Sequence, residues 1–134
     1  MTVEEYQHFL EFIGTIDVLE GIDDFAPDWK PLTKEEYHAR YIEKIKAGIP
    51  AGNITQEMFD FAMADWDGTL SSPEDRAIAF KAVCNMSMKK HPEYAENIRM
   101  QIAAVDAAVK QGKSVITVDN SDDIVNGYKV TFTI

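Results

Sequence analysis

The chain has 134 residues, 46% apolar and 27% charged, with a formal net charge of −10. That length suits one domain with a core of its own, and the composition is that of a soluble globular protein. No apolar run reaches the width of a membrane, and the acidity argues against direct binding of nucleic acid or anionic lipid.

Thr2 to Leu19 is predicted to be the first helix. Thr2 and Glu5 have the spacing of a capping box, and Val3, Tyr6, Phe9, Leu10, Ile13 and Ile16 form an apolar stripe. Gly21 is the expected stop. The acidic, amphipathic start does not have the form of a secretory signal. The acidity is concentrated here: residues 1–30 hold one basic residue, Lys30, against Glu4, Glu5, Glu11, Asp17, Glu20, Asp23, Asp24 and Asp28, a net of −7. Such a segment should attract a basic surface.

Ile22 to Pro31 is predicted to be a loop, because Pro27, Pro31 and adjacent acids forbid a long regular element. It mixes Phe25 and Trp29 with carboxylates. Two readings stand: the aromatics fold back over helix ends, or they are anchors in an acidic surface, since Trp is enriched at interface hot spots. The candidate partner-binding residues are Asp17, Glu20, Asp23, Asp24, Phe25, Asp28 and Trp29.

Thr33 and Glu36 make a second capping box. Tyr37, Tyr41, Ile42 and Ile45 form the inner face of that helix, and Gly48 ends it. Ile49 to Gly52 is a connector. Asn53 to Lys90 then reads as a helical hairpin with the densest apolar patterning in the chain. Asn53 is the expected cap, with Gln56 behind it, and Met58, Phe59, Ala62, Met63 and Trp66 keep helical spacing. Asp67-Gly68 is a turn pair. Ser71 or Ser72 caps the next helix, with Pro73 in its first turn and Glu74 and Asp75 at the positive end of its dipole. Ile78, Phe80, Ala82, Val83, Met86 and Met88 are its expected buried residues.

The Asp65–Glu74 turn has a second reading. Asp65, Asp67, Gly68 and Glu74 are spaced like an EF-hand loop two residues short, a metal site that would take calcium but lacks one ligand. The run Ala64 to Glu74 is also similar to a turn in TerB-like helical domains, a resemblance confined to that stretch. Capping and turn chemistry account for the same residues without metal, and on that account no cofactor is expected.

His91-Pro92 breaks the chain. A fifth helix should run from Pro92 to Gln111, with Gly112 as its stop, on a stripe of Tyr94, Ile98, Ile102, Val105, Ala108 and Val109. The alanines at 103, 104, 107 and 108 suggest close helix packing. The pattern then changes to period two. Ser114 to Val118 and Tyr128 to Ile134 should pair as a hairpin, with Asn126-Gly127 as a turn and room for a short strand at Ile124-Val125. A lone hairpin is marginal in water, so it must pack on the helices or pair with another chain, giving a homo-oligomer.

Other chemistries fall away. His8, His38 and His91 match no metal motif, and no nucleophile elbow, phosphate loop or C-x-x-C is present. Asp119, Asp122 and Asp123 suit an Asx turn better than a cation site. Met86, Met88 and Met100 suit core better than an adaptable surface. Cys84, the single cysteine, suits a buried position in a reducing cytoplasmic setting. The expected fold class is mainly α: one domain, about five helices over 1–112 and a small β-hairpin over 113–134 (α+β minor). The expected function is non-enzymatic: an acidic interaction protein, an inhibitor of immunity or anti-defence type, set against a basic partner such as a nucleic-acid-acting enzyme. The alternatives are an assembly subunit using the hairpin edge and a metal-responsive helical domain.

Overall fold

Side-chain oxygens start four of the helices in this computed structural model, which describes residues 1–119, 121–122, 127 and 129–134. Helix α1 (Val3–Ile13) has the full capping box of Thr2 and Glu5, and α2 (Lys34–Ala47) has that of Thr33 and Glu36. Thr55 caps α3 (Gln56–Asp67), and Ser72 caps α4 (Pro73–Lys90) with Pro73 in the first turn, where its missing N–H costs nothing. A 3₁₀ turn, Pro92–Tyr94, leads into α5 (Ala95–Lys110), whose start has no side-chain cap. The chain ends in an antiparallel pair, β1 (Val115–Asp119) and β2 (Lys129–Thr133). The expected mainly helical fold with a C-terminal hairpin is what forms.

Several expectations need correction. Helix α1 stops at Ile13, six residues before the predicted end. Gly14 caps it, the amides of Thr15 and Ile16 turn back to Phe12 and Ile13, and the Thr15 hydroxyl takes the Phe12 carbonyl at 2.7 Å. Side-chain competition for helical carbonyls ends the helix although the apolar period continues. Asn53 is not the α3 cap. Its amide donates to the Gly48 carbonyl (2.9 Å) and its own carbonyl lies 2.8 Å from His8 Nε2, so it belongs to the turn that closes α2. Asp67 is the last residue of α3, and Gly68 is its left-handed cap at φ 72, with Thr69 N–H returning to the Ala64 carbonyl at 2.8 Å.

The largest correction concerns α3 and α4. They do not lie along one another as a helical hairpin. Helix α4 packs along α1 on one side and α5 on the other, and α3 meets α1. The reason is in the buried residues of α4. Ala79 and Ala82 face the cluster of Tyr6, Phe9, Ile45, Ile54, Met58, Phe59 and Ala62, while Ala77 joins the cluster of Val105, Ala108, Ile116 and Val118. At 3.6 residues per turn, 79 and 82 lie roughly opposite 77 and 84. Alanines on both sides let two helices approach a shared wall. Val83, placed in the core by sequence, is 51% exposed between those faces. Lys81–Asp106 (2.8 Å) ties α4 to α5, and Lys89–Glu11 (3.0 Å) ties it to α1.

The hairpin is anchored on the helices, so it does not require another chain. Ile116 and Val118 are buried, their cross-strand partners Phe132 and Val130 pack on the same cluster, and Phe80 stacks on Phe132 at 5.1 Å. The suggested strand at Ile124-Val125, and Asn126 of the expected turn pair, lie outside the described residues, as does Asp123.

Gly48 ends α2 for a reason of packing. Its φ of −67 suits any residue, but a Cβ there would meet the Phe12 ring at 2.6 Å. The α1 terminus therefore seats directly on the α2 terminus.

Candidate functional site

Residues 14–32 connect α1 to α2 and hold all seven candidate partner-binding residues. The carboxylates divide by role. Asp17 Oδ1 accepts from the Leu19 amide (3.0 Å) and Asp23 Oδ1 from the Phe25 amide (2.9 Å), so these two shape the backbone as Asx turns. Glu20 reaches Lys44 at 3.5 Å. Asp24 and Asp28 are exposed and form no hydrogen bond or ion pair among the described residues.

The connection is pinned to α2 by Arg40. Its Nε donates to the Val18 carbonyl and its Nη2 to the Glu20 carbonyl, both at 2.9 Å. Val18 itself is buried. Two charge-assisted bonds and one buried aliphatic side chain fix the segment at residues 18–20. The stretch beyond Glu20 continues through turns closed by Ile22, Ala26 and Trp29 amides.

On this frame Phe25 is 97% exposed and does not fold back over a helix end. Trp29, at 45%, lines a hollow of about 250 Å³ together with Leu19, Ile22, Pro31, Leu32 and Tyr37, with Asp24 and Lys30 also lining it. Leu19 and Tyr37 are themselves about half exposed. The result is a patch of large apolar side chains set among carboxylates. Loop polarity and proline spacing pointed to Phe25 and Trp29. They did not point to Leu19, expected as the end of the first helix, to Tyr37, which the helical period assigned to an inner face, or to Arg40, whose carbonyl partners are some 20 residues away in sequence.

The Asp65 and Glu74 carboxylates each accept a hydroxyl hydrogen bond. Asp65 Oδ2 accepts from the Tyr6 hydroxyl at 2.9 Å. Burial, reinforced by the Asp65 charge, pushes the Tyr6 hydroxyl well above its ordinary range. Asp67 sits at the α3 terminus, and Glu74 accepts from Ser72 Oγ at 2.8 Å in the first turn of α4. Its own backbone amide and Ser72 hold Glu74 below the usual carboxylate range. Among the described residues no group of three or more His, Cys, Asp or Glu side chains converges as a metal ion requires. Asp119 accepts from the Ser121 amide and hydroxyl, the expected Asx chemistry. Cys84 is buried, which raises its thiol pKa and leaves little thiolate for reaction. No helix among the described residues is long and apolar enough to cross a membrane. Comparison with family models, with curated proteins and with solved structures gives no match to this chain.

Proposed function

We propose that the chain is a small, cytoplasmic, non-catalytic inhibitor that docks segment 14–32 on a basic surface of a partner protein. The observation that carries this reading is Phe25, exposed at 97% on a segment pinned by Arg40 and flanked by the free carboxylates of Asp24 and Asp28. An exposed aromatic on a fixed backbone gives contact area with little further loss of entropy on binding. The carboxylates steer a basic partner and the aromatics hold it. A basic protein surface is commonly one that meets phosphates, so occupying it would block a nucleic-acid-acting enzyme.

The test separates the two roles. Asp24→Lys with Asp28→Lys removes charge without touching the Asx turns. It should slow association with the captured partner, and the effect should shrink as salt rises past about 0.15 M, where the Debye length is about 8 Å. Phe25→Ala should instead speed dissociation, by the equivalent of about 2 kcal/mol. A DNA duplex should displace the partner. Unchanged kinetics in the doubly reversed variant at low salt would sink the reading.

A second reading, assembly through the hairpin edge, draws on the two-stranded sheet, in which each described strand has a single neighbour. Its mark would be a particle size that rises with concentration.

A further inference from the structure

We infer that the hollow beside Trp29 is a seat for one large apolar side chain of a basic amphipathic segment, an inference that rests on the docking reading above and specifies its occupant. Size is the first argument. At about 250 Å³ the hollow falls below the roughly 300–1,000 Å³ of sites for drug-sized ligands, and suits a single side chain. Its walls are the second. Leu19, Ile22, Trp29, Pro31, Leu32 and Tyr37 make most of the lining, and Asp24 and Lys30 are its two charged residues. Charge is the third. Asp24 borders the hollow, Phe25 follows it in the chain and Asp28 precedes Trp29. Neither carboxylate is paired among the described residues, while Lys30 is the one basic side chain of residues 1–30. Glu20, next to Leu19, is paired with Lys44.

An occupant that buries an apolar side chain there brings its neighbouring residues against carboxylates. Lys or Arg on either side of the anchor is favoured at those positions, and Asp or Glu is repelled. Phe25, outside the hollow, supplies a second apolar contact to the same segment. The fixed backbone at Val18 and Glu20 keeps the Leu19 wall in place before binding, so the seat is formed in advance.

The experiment uses the full chain and three synthetic peptides of equal length: an amphipathic lysine–leucine peptide, an oligolysine of the same charge, and a glutamate–leucine peptide. Titration calorimetry should show the lysine–leucine peptide binding at least about tenfold tighter than oligolysine, the fold-change expected for burying one large aliphatic side chain. Leu19→Glu is the decisive variant, because it adds negative charge while spoiling a wall. Lysine–leucine binding should weaken and oligolysine binding should hold or tighten. Circular dichroism verifies folding of the variant, and the three-peptide comparison on the unaltered chain stands without it. Equal affinity for oligolysine and lysine–leucine would overturn the seat and leave the acidic docking surface standing. Glutamate–leucine binding as tightly as lysine–leucine would overturn the basic character of the occupant. Binding of neither cationic peptide would overturn the docking reading itself. A dimer in sedimentation that Leu19→Glu dissolves would make the occupant a second copy of this chain, and also overturn the inference.

Discussion

Helix α1 and the segment that follows it are built from similar residues and have opposite fates. Both are acidic and both hold large aromatics, three in α1 and two in the segment. Tyr6 and Phe9 in α1 are fully buried, stacked on each other at 5.6 Å, while Phe25 is almost fully exposed and Trp29 nearly half so. Hydrophobicity does not distinguish them. In α1 a spacing of three puts Tyr6 and Phe9 on one face, and α4 offers that face a wall of alanines. In the segment after Gly14, prolines and Asx turns prevent any common face, so the aromatics cannot be gathered under one partner element. Aromatics stay in water where no period collects them, and there they become available for docking.

The contrast is sharpened first by charge in the α1–α4 wall. Ala82→Asp places an unpaired carboxylate where no surface is exposed, at a cost of several kcal/mol, and should leave the chain unfolded in urea titrations that the parent resists. Should that variant melt with the parent, the assignment of the wall is wrong. Truncation comes next. Phe9→Ala should cost about 3–5 kcal/mol, and Phe25→Ala should stay within about 0.5 kcal/mol of the parent. Equal losses at the two sites would remove the distinction between the regions.

Smaller effects probe how the segment is held. Gly48→Ala pushes a methyl into the Phe12 ring and should cost about 1–3 kcal/mol, measured by thermal melting, whereas the cost of Gly68→Ala would come from its φ of 72 alone, about 1 kcal/mol. Arg40→Ala should raise hydrogen exchange across residues 14–32 with far less change in α4, because it frees the Val18 and Glu20 carbonyls.

The smallest effect is in pH. Tyr6 keeps its proton in the folded chain to higher pH than the unfolded chain, whose hydroxyl titrates near 10.0. Above that pH the folded state binds more protons, so stability falls as pH rises, by at most about 1.4 kcal/mol per pH unit from this group. Tyr6→Phe should flatten that alkaline limb. A limb of unchanged slope would mean that another group titrates there.

What the sequence by itself determined is local. The caps at Thr2 and Thr33, a cap at Ser71 or Ser72 with Pro73 in the first turn, the turn at Asp67-Gly68, and the strand alternation across Val130 and Phe132 were legible because each depends on residues a few positions apart. The proline-bounded segment with its acids and aromatics was legible for the same reason. The tertiary structure decided the rest. It set Ala77 and Ala79 inside and Val83 outside, because α4 is covered on two opposite sides by elements distant in sequence. It moved the start of α3 from Asn53 to Thr55, because Asn53 is bonded to Gly48 and faces His8. It assembled the hollow at Trp29 from separated parts of the connection and from Tyr37 of α2, and braced it with Arg40, whose partners are two backbone carbonyls. A carbonyl has no sequence signature, since every residue carries one, so a site held by backbone acceptors becomes visible only when the chain is folded.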